Sequence, residues 1–214
     1  MPVELEGGCR VVGLKEGEPL QLRNVRIWQH FQSRLSLRVI ELDGRATFKN
    51  DGHDEVLYDL EENVGIYVPV GKSIRLEGPA TFVSARTPAE ASNRNAAIVH
   101  LDDQPVQKTG DRWYRELIQG EVTQFVGSIP PGRAPDHFHL YEEVICILEG
   151  EGVMWAGTSS TPVSRGSCIF LPMRQRHCLE NTGSGELRLL GVFFPAGSPA
   201  VRYEIQNGPD ESPE

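Results

Sequence analysis

Hydrophobic positions along the chain fall in short runs of Val, Ile, Leu, Phe and Tyr, divided by Gly, Pro, Asn and Asp. The runs include "LSLRVIEL", "VGIYVPV", "ATFVSA", "VTQFVGSI", "EVICILEG", "SCIFLPM" and "LRLLGVFF". Short apolar runs with this punctuation predict strands, and little in the chain keeps the three-and-four spacing of an amphipathic helix. Many short strands so spaced predict an all-β sandwich or barrel. The stretch 86–110 is polar and poor in strand formers apart from "AIVHL", so it is expected to link two halves. The tail "QNGPDESPE" is acidic and poor in apolar residues, and is expected to be disordered.

Composition narrows the function classes. With 39% hydrophobic residues in 214, the chain can bury a sizeable core. A net charge of -9 argues against a nucleic-acid or anionic-membrane partner, since either calls for a basic face. The beginning, "MPVELEGGCR", has neither the basic flank nor the apolar core of a secretory signal, which makes the expected location cytoplasmic. Cys9, Cys146, Cys168 and Cys178 lack CxxC spacing and are expected as buried, reduced thiols.

The candidate chemistry lies in "PDHFHLYEEVICILEG", residues 135–150. Side chains two apart on a strand share a face, so His137 and His139 project together, and Glu143 keeps their parity while Glu142 has the opposite one. A fourth donor, His177 in "GSCIFLPMRQRHCLEN", could be brought alongside by antiparallel pairing. Three imidazoles and one carboxylate form an N/O set suited to a divalent Fe, Mn, Ni, Co, Cu or Zn ion.

These residues resemble a known family, the cupins. Gly132, His137, His139, Glu143 and Gly150 follow its first signature, with four rather than five residues after Gly132. Gly166, Pro172, His177 and Asn181 follow the second, with Arg174 where the family has glycine. The resemblance covers roughly residues 115–196. It implies a double-stranded β-helix barrel and one divalent metal ion (Fe, Mn, Ni, Co or Zn) held by His137, His139, Glu143 and His177. Because only Glu143 has the family's distance to Gly150, the resemblance also chooses Glu143 over Glu142.

The first half admits two registers against the second. Aligning "GRA" at 44–46 with "GRA" at 132–134 places Glu55 opposite Glu143, but Lys49 and Asp51 opposite the two histidines. Aligning "VIELDGRATF" with "ICILEGEGVMW" matches Gly44 to Gly150 and Pro69 to Pro172, and is preferred. It puts Phe31, Ser33, Leu37 and Ile74 at the four ligand positions, a set that binds no metal. His30 and His53 are then expected as solvated loop residues. The fold expected is all-β, two cupin barrels in tandem: a degenerate barrel over 1–90, a linker over 91–112, a metal-binding barrel over 113–205 and a disordered tail over 206–214. Such a bicupin is expected to be a homodimer.

Arg174 and Arg176 flank His177 and would suit a substrate carboxylate or phosphate at a pocket mouth. Tyr141, Glu142 and Arg174 are the candidate catalytic residues, the first two as acid or base. Trp155, Phe170 and Phe193 are expected in the barrel lining or an interface. The architecture resembles bicupin uronate isomerases, which implies isomerisation of a small, carbohydrate-derived acid through a metal-polarised carbonyl. Dioxygenation of a small organic or aromatic substrate at the same ligands, and non-catalytic binding of a small molecule, stand as alternatives.

Overall fold

Strands account for nearly all the regular structure of the computed structural model, which describes residues 2–89, 94–201 and 203. The expected tail at 206–214, and residues 91–93 of the expected linker, lie outside the described residues. Among the described residues every strand pairing is antiparallel. Each half packs one large sheet against one small sheet. In the first half, seven strands run in the spatial order Ala97–His100, Val64–Val68, His53–Asp59, Ala80–Pro88, Ser36–Leu42, Val25–Phe31 and Leu20–Leu22. The small sheet pairs Arg45–Lys49 with Ser73–Glu77.

The second half repeats that order. Its sheet runs Arg10–Gly13, Ser167–Leu171, Glu142–Glu149, Leu187–Phe194, Thr123–Ile129, Arg112–Ile118 and Gln107–Thr109, with Val3–Glu4 added outside Arg10–Gly13. Gly132–Arg133, His177–Asn181, Glu151–Ala156 and Ser159–Ser164 form the small sheet. The two halves exchange edges. Residues 3–13 open the chain yet complete the second sheet, and Ala97–His100, inside the expected linker, completes the first. Each exchanged strand covers a row of backbone groups that would otherwise template aggregation.

Three apolar clusters explain why the strands read as continuous hydrophobic runs. One, with Ile40, Leu42, Leu57, Ile66 and Phe82, fills the first barrel. Another, with Ile145, Ile147, Met154, Ile169 and Phe193, fills the second. The third joins the two large sheets face to face, with Leu37, Val39, Val83, Val144, Cys146, Leu190 and Val192. Alternate residues of one strand therefore enter different cores, as Val144 and Ile145 do. The four cysteines are buried and unbridged.

This two-sided burial corrects the preferred register. Strand order sets His53–Asp59 at the place of Glu142–Glu149, and Ser36–Leu42 at the place of Thr123–Ile129. Glu55 pairs with Val68 as Glu143 pairs with Leu171, so Glu55 holds the place of Glu143. Leu37 faces the interface between halves and not the barrel interior. Because both faces of these strands are apolar, hydrophobic alternation matches equally well in either register and cannot choose between them.

In the first barrel a guanidinium meets that carboxylate. Arg38 Nη2 lies 2.5 Å from Glu55 Oε1, and Ser84 Oγ–H donates to the same oxygen. Lys49 pairs with Asp51 on the surface, and Ile74 packs with the apolar core. His30 and His53 lie in strands, not in solvated loops. His30 Nε2 is 2.7 Å from Leu14 O, and His53 Nε2 is 3.0 Å from Asn50 Oδ1.

Candidate metal centre

His137 and His177 face each other across an antiparallel bridge, with His137 N–H donating to His177 O at 3.0 Å and His177 N–H to His137 O at 2.9 Å. Their ring centroids are 4.4 Å apart. Each Nδ1 lies against a carbonyl that can only accept: Pro135 O at 3.1 Å for His137, and Gln175 O at 2.7 Å for His177. Nδ1 therefore carries the proton, which leaves Nε2 with a lone pair, the tautomer a metal ligand needs. The ligand atoms of His137, His139 and His177 all lie within 4.8 Å of one another.

Glu143 comes from the middle of the sheet, between Leu171 and Phe193. Its Oε2 is 3.5 Å from His139 Nε2 and 3.8 Å from His177 Nε2, and this buried oxygen has no hydrogen-bond partner. A buried carboxylate oxygen without a donor is costly unless a cation or a proton meets it. Burial pushes the Glu143 carboxyl up to about 8 and holds His177 down to about 4. Each group is thus driven to its neutral form. Three imidazole nitrogens and one orphaned carboxylate oxygen are a donor set of the kind metal ions take, and the histidine triad could hold one.

The other residues singled out from the sequence stand elsewhere. Tyr141 is buried with its ring stacked on His139, and its hydroxyl donates to Ser198 O at 3.3 Å. Burial raises its pKa far beyond the range of a proton shuttle. Glu142 points away from the donors and accepts from Ser33 Oγ at 2.6 Å and from Leu35 N–H at 2.7 Å. Arg174 and Arg176 are exposed. Arg176 pairs with Asp136 at 2.7 Å, and Arg174 lies in a surface recess with Phe138, Leu140 and Tyr203. The Arg174 backbone has φ 62°, the left-handed conformation for which the family uses glycine, and its N–H donates to His139 O at 2.7 Å.

Trp155 is on the outer surface, donating to Glu180 Oε2 under the Arg133 guanidinium. Phe170 belongs to the interface between halves, and Phe193 to the wall of the site.

The donors open into a cavity of about 90 Å³. Phe125, Ile145, Leu179, Leu189 and Phe193 give it an apolar wall, while Thr109, Ser128 and Arg112 add polar groups. Arg112 lines this cavity, whereas Arg174 and Arg176, expected at its mouth, do not. No spacing pattern marks it, because strand Arg112–Ile118 reaches the cavity only through its place in the sheet.

An all-β chain of two matching sheets, with a histidine triad and a carboxylate inside one barrel, defines a cupin-type jelly roll. Comparison with known proteins agrees in fold: the cupin domain family matches residues 125–193, within the second half. Over 68 residues the chain is 35% identical to the oxalate-binding protein of Thermotoga maritima, covering 31% of this chain and 56% of that one. An uncharacterised protein of Methanocaldococcus jannaschii is 35% identical over 54 residues, 25% of this chain and 43% of that one. The chain spans about half the length of the curated relatives it matches.

Among solved structures, protein YlbA of E. coli superposes with a TM-score of 0.75 at 11% identity, over 90% of this chain and 93% of that one. Bacillus subtilis oxalate decarboxylase superposes with a TM-score of 0.70 at 11% identity, over 88% and 78%. At such identities the likeness is one of fold.

Proposed function

We propose that the protein is a metal-dependent bicupin whose single mononuclear centre, His137, His139, Glu143 and His177, acts on a short organic acid. The observation that carries this reading is the buried, partnerless Glu143 Oε2 facing two imidazole nitrogens at the floor of a small cavity. A divalent ion there would supply Lewis-acid polarisation of a bound oxygen ligand and, for Fe or Mn, access to redox chemistry. Arg112 is the residue suited to anchor a substrate carboxylate, and the apolar wall keeps bulk water from the reacting end.

The relative named for oxalate binding supports a short organic acid as the substrate. The isomerisation expected from the sequence loses support. Arg174 and Arg176, which favoured it slightly over dioxygenation, stand on the surface, and among the described residues the wall adds to the donors only Tyr114 and Arg112 as titratable groups. Oxidative chemistry on the acid, with dioxygen as co-substrate, is the second reading, favoured by the apolar and aromatic wall.

Elemental analysis of the parent and His139→Ala, followed by calorimetric titration with oxalate, tests the reading. One equivalent of metal in the parent and none in the variant, with oxalate heat only in the metal-loaded parent and lost in Arg112→Ala, is expected. A parent that takes up no metal from an Fe, Mn, Co, Ni or Zn titration overturns it.

A further inference from the structure

Residues 32–35 connect two strands of the first sheet, Val25–Phe31 and Ser36–Leu42, and reach across to the second half. Ser33 Oγ–H and Leu35 N–H occupy the two oxygens of Glu142, one each, at 2.6 and 2.7 Å. Leu35 is fully buried in the interface, and the Arg34 guanidinium lies 5.2 Å from the centre of the Phe194 ring. Phe194 is the residue paired with Glu142 across the sheet, and Phe193 the one paired with Glu143.

A segment of the first half thus grips the second half at the residue before its metal-facing carboxylate, from the opposite face of the strand. Both Glu142 oxygens are committed to these two donors, and a carboxylate held by two donors in a buried setting has little freedom to shift. The peptide joining Glu142 to Glu143 is fixed with it, and with that peptide the short stretch from His139 through the stacked Tyr141.

We infer that residues 32–35 are a strap by which the first half sets the donor geometry of the second, with Glu142 as a positioning residue for Glu143. The inference rests on the metal-centre reading above and gives the first half, which keeps Glu55 but pairs it with Arg38, a part in the chemistry. Glutamine at 142 would turn an amide N–H₂ toward one of the two donors and leave it unsatisfied in a buried site.

Cobalt(II) titration of the full chain, read by its visible absorption, tests this. Parent, Glu142→Gln, Ser33→Ala and Val39→Ala are compared, the last removing methyl groups from the same interface cluster away from the strap. Thermal midpoints are measured alongside. The expected result is a tenfold to hundredfold loss of cobalt affinity in Glu142→Gln, the range seen when a group supporting a metal ligand is removed. Its absorption bands shift, Ser33→Ala shows a smaller loss, and Val39→Ala loses stability but keeps parental affinity and bands. If Glu142→Gln loses stability while affinity and bands stay parental, or if Val39→Ala weakens cobalt as much, the strap is overturned and the metal centre stands. A parent that binds no cobalt overturns the centre and the strap with it.

Discussion

Tyr141 lies flat on His139, with ring centroids 4.8 Å apart and planes 11° from parallel. Phe193 backs the tyrosine at 4.4 Å, and Gly197 passes so close that a Cβ there would fall 2.2 Å from the ring. The imidazole is held by packing, and the phenol hydroxyl serves only a backbone carbonyl. Tyr141→Phe is therefore expected to keep metal affinity within about fivefold, because one net hydrogen bond contributes only about 1 kcal/mol. Tyr141→Ala empties an aromatic site and is expected to cost about 3–5 kcal/mol of stability along with metal affinity. Urea denaturation and metal titration of both variants check this. Loss of turnover in Tyr141→Phe at full metal loading would restore the tyrosine to an acid-base role.

Arg174 takes part through its backbone. Its left-handed φ costs a residue with a Cβ about 1–2 kcal/mol, while its N–H holds His139 O. Glycine removes the first cost and keeps the hydrogen bond, at some loss of chain entropy. Arg174→Gly is expected to leave metal binding and turnover unchanged and to raise stability by up to about 1 kcal/mol. A large fall in kcat with metal retained would show that the guanidinium reaches the substrate.

Metal loading is expected to depend on pH through Glu143. In the metal-free protein its carboxyl titrates near 8, so at pH 7 it carries a proton that a cation must displace. His177, held near 4, is already neutral above pH 5 and adds no further dependence. Affinity should therefore rise about tenfold per unit from pH 5 to 8 and then level off, with nearly one proton released per ion at pH 7. Calorimetry in two buffers of different ionisation enthalpy measures that proton.

The same two groups give the metal-free fold a pH profile. A raised carboxyl such as Glu143 stabilises below its unfolded value and loses that contribution as pH rises through about 8. A depressed imidazole such as His177 stabilises above its unfolded value and loses that contribution as pH falls through about 4. The rise in thermal midpoint on adding metal should thus be larger at pH 8 than at pH 6. Equal rises would mean that Glu143 does not titrate in this window.

Arg38 and Glu55 form a nearly fully buried ion pair at the first-half counterpart of the metal centre. Arg38→Met leaves the carboxylate with Arg86 as its remaining cation, Nε 3.5 Å away, and is expected to cost about 3 kcal/mol, whereas Arg38→Met with Glu55→Leu recovers part of it. Denaturant unfolding of both variants, with metal content measured alongside, gives the answer. A double variant as unstable as the single would mean that the pair does more than balance charge.

The sequence by itself determined the strand-rich class and the buried, unbridged cysteines, through short apolar runs between turn residues. Two-residue spacing put His137 and His139 on one face, whereas Glu143 and His177 were marked by the resemblance to the cupin signatures. Tertiary structure decided the rest. Whether Glu55 or Leu37 stands in the place of Glu143 depends on which strands are neighbours, and strands apolar on both faces leave no periodic trace of that. The placing of residues 3–13 on the far sheet, of Glu142 against Ser33 and Leu35, and of Arg112 in the cavity arises from contacts between segments distant along the chain. Such contacts form only when the two large sheets pack together, so no local spacing could announce them.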